Sequence, residues 1–155
     1  MDTRFLADSM LGRLARWLRA LGYDAVYEEQ PSRGDDAMAE QARAEGRVLL
    51  TRDRRIPARP GLRLLVLDSG SPERQLVQVL TALGLRPDPA RRFTRCTVCN
   101  GVLERIPRAE GAAEAPPRVR ELDTDFFRCP DCRKLYWMGT HTEATARRLK
   151  ELGLE

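Results

Sequence analysis

A chain of 155 residues, 42% hydrophobic and 32% charged, is long enough for one medium domain, or for a small domain with a stapled module, and too apolar to be disordered. No apolar run approaches the roughly 20 residues of a membrane span. The opening Met1-Asp2-Thr3-Arg4 lacks the basic region and long apolar core of a signal peptide, so a cytoplasmic location and no membrane partner are expected. The net charge is +4, carried mostly by arginine, with lysine only at Lys134 and Lys150. A planar guanidinium binds two phosphate oxygens at once, and the basicity mildly favours an anionic partner.

In chain order, Arg4 to Ala7 reads as a short strand with Asp8 behind it. Met10 to Leu21 is a helix by its period: Leu11, Leu14, Ala15, Leu18 and Leu21 share one face, and Gly22 stops it. Arg13, Arg16 and Arg19 form a basic flank. Tyr23 to Tyr27 gives a second strand, and Pro31 to Gly34 a loop. Asp35 or Asp36 then caps a helix that runs to about Ala44 and closes at Gly46. Val48-Leu49-Leu50 is an apolar run without alternation, as in a strand covered on both faces, and Thr51-Arg52-Asp53 turns polar at its carboxyl end. Leu62 to Leu67 is a further strand ending at Asp68. A helix then runs from Ser71 and Pro72 to Gly84.

This alternation implies an α/β fold with a mostly parallel sheet and helices packed over it. Right-handed crossovers put every strand's carboxyl end on one edge, where such sheets hold ligands. Asp8, Asp53 and Asp68 each follow a strand, and Asp35 and Asp36 open a helix that faces the same edge. Singly, each is an ordinary turn or cap acid. Together they make a carboxylate cluster, which repels itself unless a cation is present. Oxygen ligands without nearby histidine or cysteine suit Mg2+ or Mn2+. Such ions activate water against a phosphodiester and stabilise the leaving oxygen. Arg52, with Arg54 and Arg55, is placed to neutralise phosphates, as are Arg13 and Arg16 on the helix flank.

The four cysteines all fall in the second half, as Cys96/Cys99 and Cys129/Cys132. Two Cys-x-x-Cys turns in a chain without a signal peptide read as a tetrahedral, closed and therefore structural zinc site (Zn2+) rather than as disulfides. Leu85 to Arg95 reads as a linker, and Ala109 to Pro117 as a disorder-like hairpin tip. Phe126-Phe127 and Leu135-Tyr136-Trp137 read as ribbon strands. His141, the only histidine, is not needed as a ligand beside four thiolates, so a surface or packing role is expected. Glu143 to Leu152 is a final helix capped by Thr142.

The stretch from Phe5 to Arg19, then Leu49 to Asp53, Arg95 to Gly101, and Tyr136-Trp137-x-Gly139-x-His141 resemble the Mut-seven C-terminal ribonuclease domain family. The resemblance runs from about Phe5 to His141. It implies a PIN-like three-layer nuclease domain followed by a zinc ribbon, and metal-dependent RNase activity. Position by position, Asp8 matches the first metal-binding acid, Asp35 the helix-start acid with Asp36 one residue away, and Asp53 the acid of the Thr-Arg-Asp motif. Asp68 falls where the family pattern is weak. Ser9 stands where the family has an amide, and Met138 where a basic residue is common. The expected organisation is a nuclease domain at 1–86, a linker at 87–94, a zinc ribbon at 95–141 and a C-terminal helix at 142–155.

The expected activity is a Mg2+- or Mn2+-dependent ribonuclease that cuts internally, its ribbon orienting RNA or a ribonucleoprotein partner. The alternative is an RNA- or ribosome-binding module with a degenerate nuclease site. A phospho-acceptor receiver also places acids after its first and third strands, but that chemistry needs a lysine and none precedes Lys134.

Overall fold

Period-two alternation along the short strands divides their side chains between two layers of helix. The structure, a computed structural model, describes residues 2–30 and 33–155, so the expected loop residues Pro31 and Ser32 lie outside the described residues. Strands β1 (Phe5–Ala7), β2 (Ala25–Tyr27), β3 (Val48–Thr51) and β4 (Arg63–Val66) pair in parallel in the order β2-β1-β3-β4. Leu6 sits between Val26 and Leu49 in register. Phe5, Ala7, Val48 and Leu50 are buried against helices α1 (Gly12–Ala20) and α3 (Pro72–Ala82), chiefly Leu14, Leu18, Leu76 and Leu80. Leu6 and Leu49 are buried against Met38, Ala39 and Ala42 of α2 (Gly34–Glu45). Each buried leucine contributes about 1.5–3 kcal/mol, and the layers close without any long helix. Among the described residues no helix is long and apolar enough to cross a membrane.

The second half forms an antiparallel sheet of β5 (Glu104–Ile106), β6 (Phe126–Arg128) and β7 (Leu135–Trp137), in that order. Helix α6 (Thr140–Glu151) returns to the first half: Leu149 is fully buried in the same core as Phe5 and Leu76, and Arg148 Nε donates to Glu73 Oε1 at 2.8 Å. The stretch between the sheets is docked too. Phe93 N–H donates to Ala20 O at 2.8 Å, and a Cβ on Gly22 would lie 2.3 Å from Arg91 O.

Four local expectations are corrected. Asp35 and Asp36 are not helix caps: Arg33 holds that position, and the two acids lie in the first turn of α2, where the helix dipole favours negative charge. Arg19 does not belong to an exposed basic flank but is buried. Each three-residue step on a helix of 3.6 residues per turn drifts by about 60°, which carries Arg19 from the solvent side to the core side. Its Nε donates to Ala25 O at 2.8 Å and its Nη1 to Val98 O at 2.8 Å, clamping the first cysteine turn to β2. The disorder-like tip is instead two short helices, α4 (Arg108–Glu114) and α5 (Pro117–Arg120), with Ala115 buried between them. Finally, α6 begins at Thr140 rather than Glu143. Thr142 is inside its first turn, and its hydroxyl accepts from Gly139 N–H at 3.0 Å.

Candidate active site and metal centre

Because β1 lies between β2 and β3, the chain leaves β1 toward one side of the sheet and returns through α2 to the other. The carboxyl ends of β1 and β3 flank that switch point, the crevice in which open parallel sheets hold ligands. Asp8 follows β1 and Asp53 lies just past β3. A cleft of about 310 Å3 opens there, lined by Asp8, Glu28, Asp35 and Asp53 with Met38 and Arg55.

Asp8 and Asp53 are held by groups close to them in the fold. Thr51 Oγ1 donates to Asp8 Oδ2 at 2.7 Å, and Ser9 Oγ donates to Asp8 Oδ1 at 3.1 Å. Thr51 is fully buried, and its hydroxyl also accepts from Asp53 N–H at 2.9 Å. One side chain thus ties the Asp8 carboxylate to the main chain at Asp53. Arg55 closes on Asp53 as a fork, Nε to Oδ1 at 3.0 Å and Nη2 to Oδ2 at 2.8 Å, and its own N–H donates to Oδ1 at 2.9 Å. The guanidinium first, and then the backbone N–H, lower the Asp53 carboxyl to about 2. The Arg55 pKa is raised in turn, chiefly by Asp53 and more weakly by Asp35.

Glu28 adds an acid that the sequence did not flag. It directly follows β2, as Asp8 follows β1, and is only 9% exposed. Its Oε1 accepts from Gln30 N–H at 2.8 Å, and its Oε2 lies 3.1 Å from Arg33 Nε. That position after a strand was the one available signal. Beside the thioethers of Met10 and Met38 and the amide of Gln30, the cleft offers carboxylate and hydroxyl oxygens and no imidazole or thiol, and the oxygens suit a hard cation such as Mg2+ or Mn2+. The positive charge there is supplied by Arg55. Among the described residues, the four cysteines are the one His/Cys/Asp/Glu group of three or more whose ligand atoms all lie within 4.8 Å of one another.

Two expected acids lie elsewhere. Asp36 is exposed on the side of α2 that meets Arg59. Asp68 is exposed, pairs with Arg54 at 2.9 Å, and accepts from Gln78 Nε2 at 3.2 Å. Of the expected phosphate-binding arginines, Arg13, Arg16 and Arg52 are also outside the cleft, while Arg55 lines it. Arg13 and Arg16 line a separate depression beside Trp17, and Arg52 lies alongside Gly70 in the loop before α3.

The cysteines form a tight set. Cys96 and Cys132 sulfurs are 3.6 Å apart, and those of Cys99 and Cys129 are 3.3 Å apart. Thiolates about 2.3 Å from a tetrahedral zinc ion stand roughly 3.8 Å from each other, so the site fits zinc. The residue after each turn, Asn100 at φ 74° and Arg133 at φ 66°, takes a left-handed conformation that closes it. A Cβ on Gly101 would lie 2.9 Å from Cys129 Sγ, which excludes a side chain there. Burial works against the Cys96 thiolate, but hydrogen bonds from Tyr136 Oη and from the Cys99 and Val98 amides outweigh it and bring its pKa to about 6. Asn100 ties the site to the parallel sheet: its Nδ2 donates to Asp24 Oδ1 at 2.8 Å, and its Oδ1 accepts from Ala25 N–H at 3.0 Å.

The human protein named exonuclease mut-7 homolog is 38% identical to this chain over 104 residues, covering 63% of the chain and 12% of that protein. The chain therefore spans a small fraction of that relative's length. No solved structure matches the chain. The family model described as Mut7-C RNAse domain matches residues 3–149, nearly the whole chain from before β1 to within α6. That match runs through the strand-end acids and all four cysteines, and on it the chain belongs to the nuclease-related Mut7-C RNAse domain family.

Proposed function

We propose that this chain is a metal-dependent ribonuclease that cuts RNA internally, working in the cleft at the carboxyl ends of β1 and β3. In this reading residues 1–86 form a PIN-like nuclease unit, 87–94 a connection, 95–141 a zinc ribbon that orients RNA or a ribonucleoprotein, and 142–155 a closing helix. Asp8, Asp35 and Asp53 would hold Mg2+ or Mn2+. When bound, the ion lowers the pKa of a water and offsets charge on the scissile phosphate. Asp36 and Asp68, which pair with arginines elsewhere, are not assigned to the ion. Arg55 pairs with both carboxylate oxygens of Asp53 and is the group that a cation bound there would displace. Once released, it is placed to pair with a phosphate. The observation that carries the reading is the Thr51 hydroxyl, which joins Asp8 to Asp53 across two strands within one acid-lined cleft.

The test is cleavage of single-stranded and structured RNA with Mn2+ by the wild type, Asp8→Asn and Asp53→Asn. The reading expects each substitution to cost more than the roughly 10- to 100-fold that supporting residues of a metal site are worth. Equal activity in all three would identify a contaminant. RNA binding that survives both substitutions, with no turnover under any metal, would mean a non-catalytic RNA-binding module instead. Cleavage of a circular RNA separates internal cutting from trimming at an end.

A further inference from the structure

Where the antiparallel sheet, α6 and the carboxyl end of α1 meet, the protein has a second cavity, of about 330 Å3. That lies within the roughly 300–1,000 Å3 of small-ligand clefts. Its wall carries Phe93, Phe127, Tyr136, Trp137 and His141. Aromatic residues are only 6% of the sequence, so their convergence here is a concentration. The rings are not consumed by the core. Trp137 is half-buried and His141 exposed, the two meeting edge to face at 6.0 Å. Phe93 holds a φ of 59°, a left-handed conformation that a bulky residue rarely takes, while its N–H is anchored on Ala20.

The charges around this cavity are of one sign. Lys134, whose Nζ lies 5.3 Å from the Tyr136 ring centre, and Arg95 are among its lining residues. A shallower depression lined by Arg13, Arg16 and Trp17 shares Ala20, Thr97 and Thr145 with it. Neither concavity has an Asp or Glu among its lining residues, in contrast to the cleft at Asp8. Aromatic faces flanked by cations are the means by which proteins hold unpaired bases. A purely apolar ligand would gain nothing from the cations, and an acidic peptide nothing from the rings.

The geometry points to this cavity as the seat of one unpaired base of a single-stranded RNA, whose phosphates pass Arg16 and Arg13 along α1 toward the acid cleft. The inference rests on the ribonuclease reading for the choice of RNA and for the direction of the strand. From Gly12 to Ala20 the helix rises roughly 12 Å, which is about three to four stacked nucleotides. The base seat is therefore offset from the cutting site and sets its register.

The test is the anisotropy of a labelled single-stranded RNA of about ten nucleotides on the zinc-loaded chain, without added divalent cation. Trp137→Ala is expected to weaken binding between about fivefold and a hundredfold, the value of one stacked base, and Trp137→Phe to retain it. Lys134→Glu, at an exposed position, is expected to weaken binding and to flatten its salt dependence. An abasic nucleotide moved along the RNA should cost affinity at one position on the wild type and at none on Trp137→Ala. Because that scan and Lys134→Glu leave the aromatic wall intact, misfolding of Trp137→Ala does not blunt the test. Wild-type affinity in Lys134→Glu and Trp137→Ala, or a flat abasic scan, overturns the base seat. RNA cleavage lost in Asp8→Asn together with a flat scan overturns the base seat alone. A position-dependent scan with no cleavage under any metal leaves the seat standing and overturns the ribonuclease reading.

Discussion

The Thr51 hydroxyl spends its proton on Asp8 and a lone pair on the Asp53 amide, and it does so with no exposure to solvent. Thr51→Val keeps the shape and removes both bonds. It leaves a donor without its partner, at a cost of about 1–3 kcal/mol, and should lower RNA cleavage about 10- to 100-fold as a lost supporting contact. Thermal melting and initial cleavage rates check the two parts. Arg55 gives a second prediction. The folded Asp53 carboxyl titrates at about 2, below the ordinary value of about 3.9, so the pair contributes stability above about pH 4 and loses it as pH falls through about 2. Carboxyl NMR titration should find that low midpoint in the wild type and a rise toward about 3.9 in Arg55→Ala. The positions of Asp8 and Asp53 behind strands were legible because the apolar runs before them mark the strands. Glu28 was not, since Glu28, Glu29 and Gln30 look like any polar loop until β2 is paired with β1. Thr51 was visible in a motif, but its bridging of two strands needed the register.

At the scale of elements, the strands β1 to β4 were legible as short apolar runs, and α1 to α3 from an apolar face together with cap and stop residues such as Ser71, Pro72, Gly22, Gly46 and Gly84, because β1 and β3 are covered on both faces and each helix buries one face on the sheet. The stretch rich in alanine, glutamate and proline after β5 misled for the opposite reason: its helix α4 buries few large side chains. It is held by Glu110 and Glu114, one helical turn apart, both paired to buried Arg128, at 3.3 and 2.7 Å. That four-residue spacing was the signal available in the sequence. α4 also needs Gly111, where a Cβ would lie 2.2 Å from the Phe126 ring. Gly111→Ala should therefore destabilise by about 1–3 kcal/mol, seen as a lower melting temperature, even though alanine is the better helix former.

Across the molecule, the cysteine site and the parallel sheet are joined through Asn100, Arg19 and the return of α6, so the ribbon is built onto the layer that carries the acids. Its three strands have three residues each, too little pairing to stand without metal. Chelation should release one zinc per chain and collapse the amide NMR signals of residues 96–137 while those of β1 and β3 persist. Loss of the β1 and β3 signals together with the ribbon's would mean that the sheet cannot fold without the metal. The proposed ribonuclease chemistry requires that the acids at the sheet's switch point accept a hard cation in place of Arg55. Anomalous diffraction from crystals soaked in Mn2+ tests this most directly. The predicted result is a manganese peak in the cleft bonded to Asp8 and Asp53, with the Arg55 side chain moved off Asp53. A cleft without manganese at saturating concentration, or an ion whose ligands exclude Asp8, would contradict it.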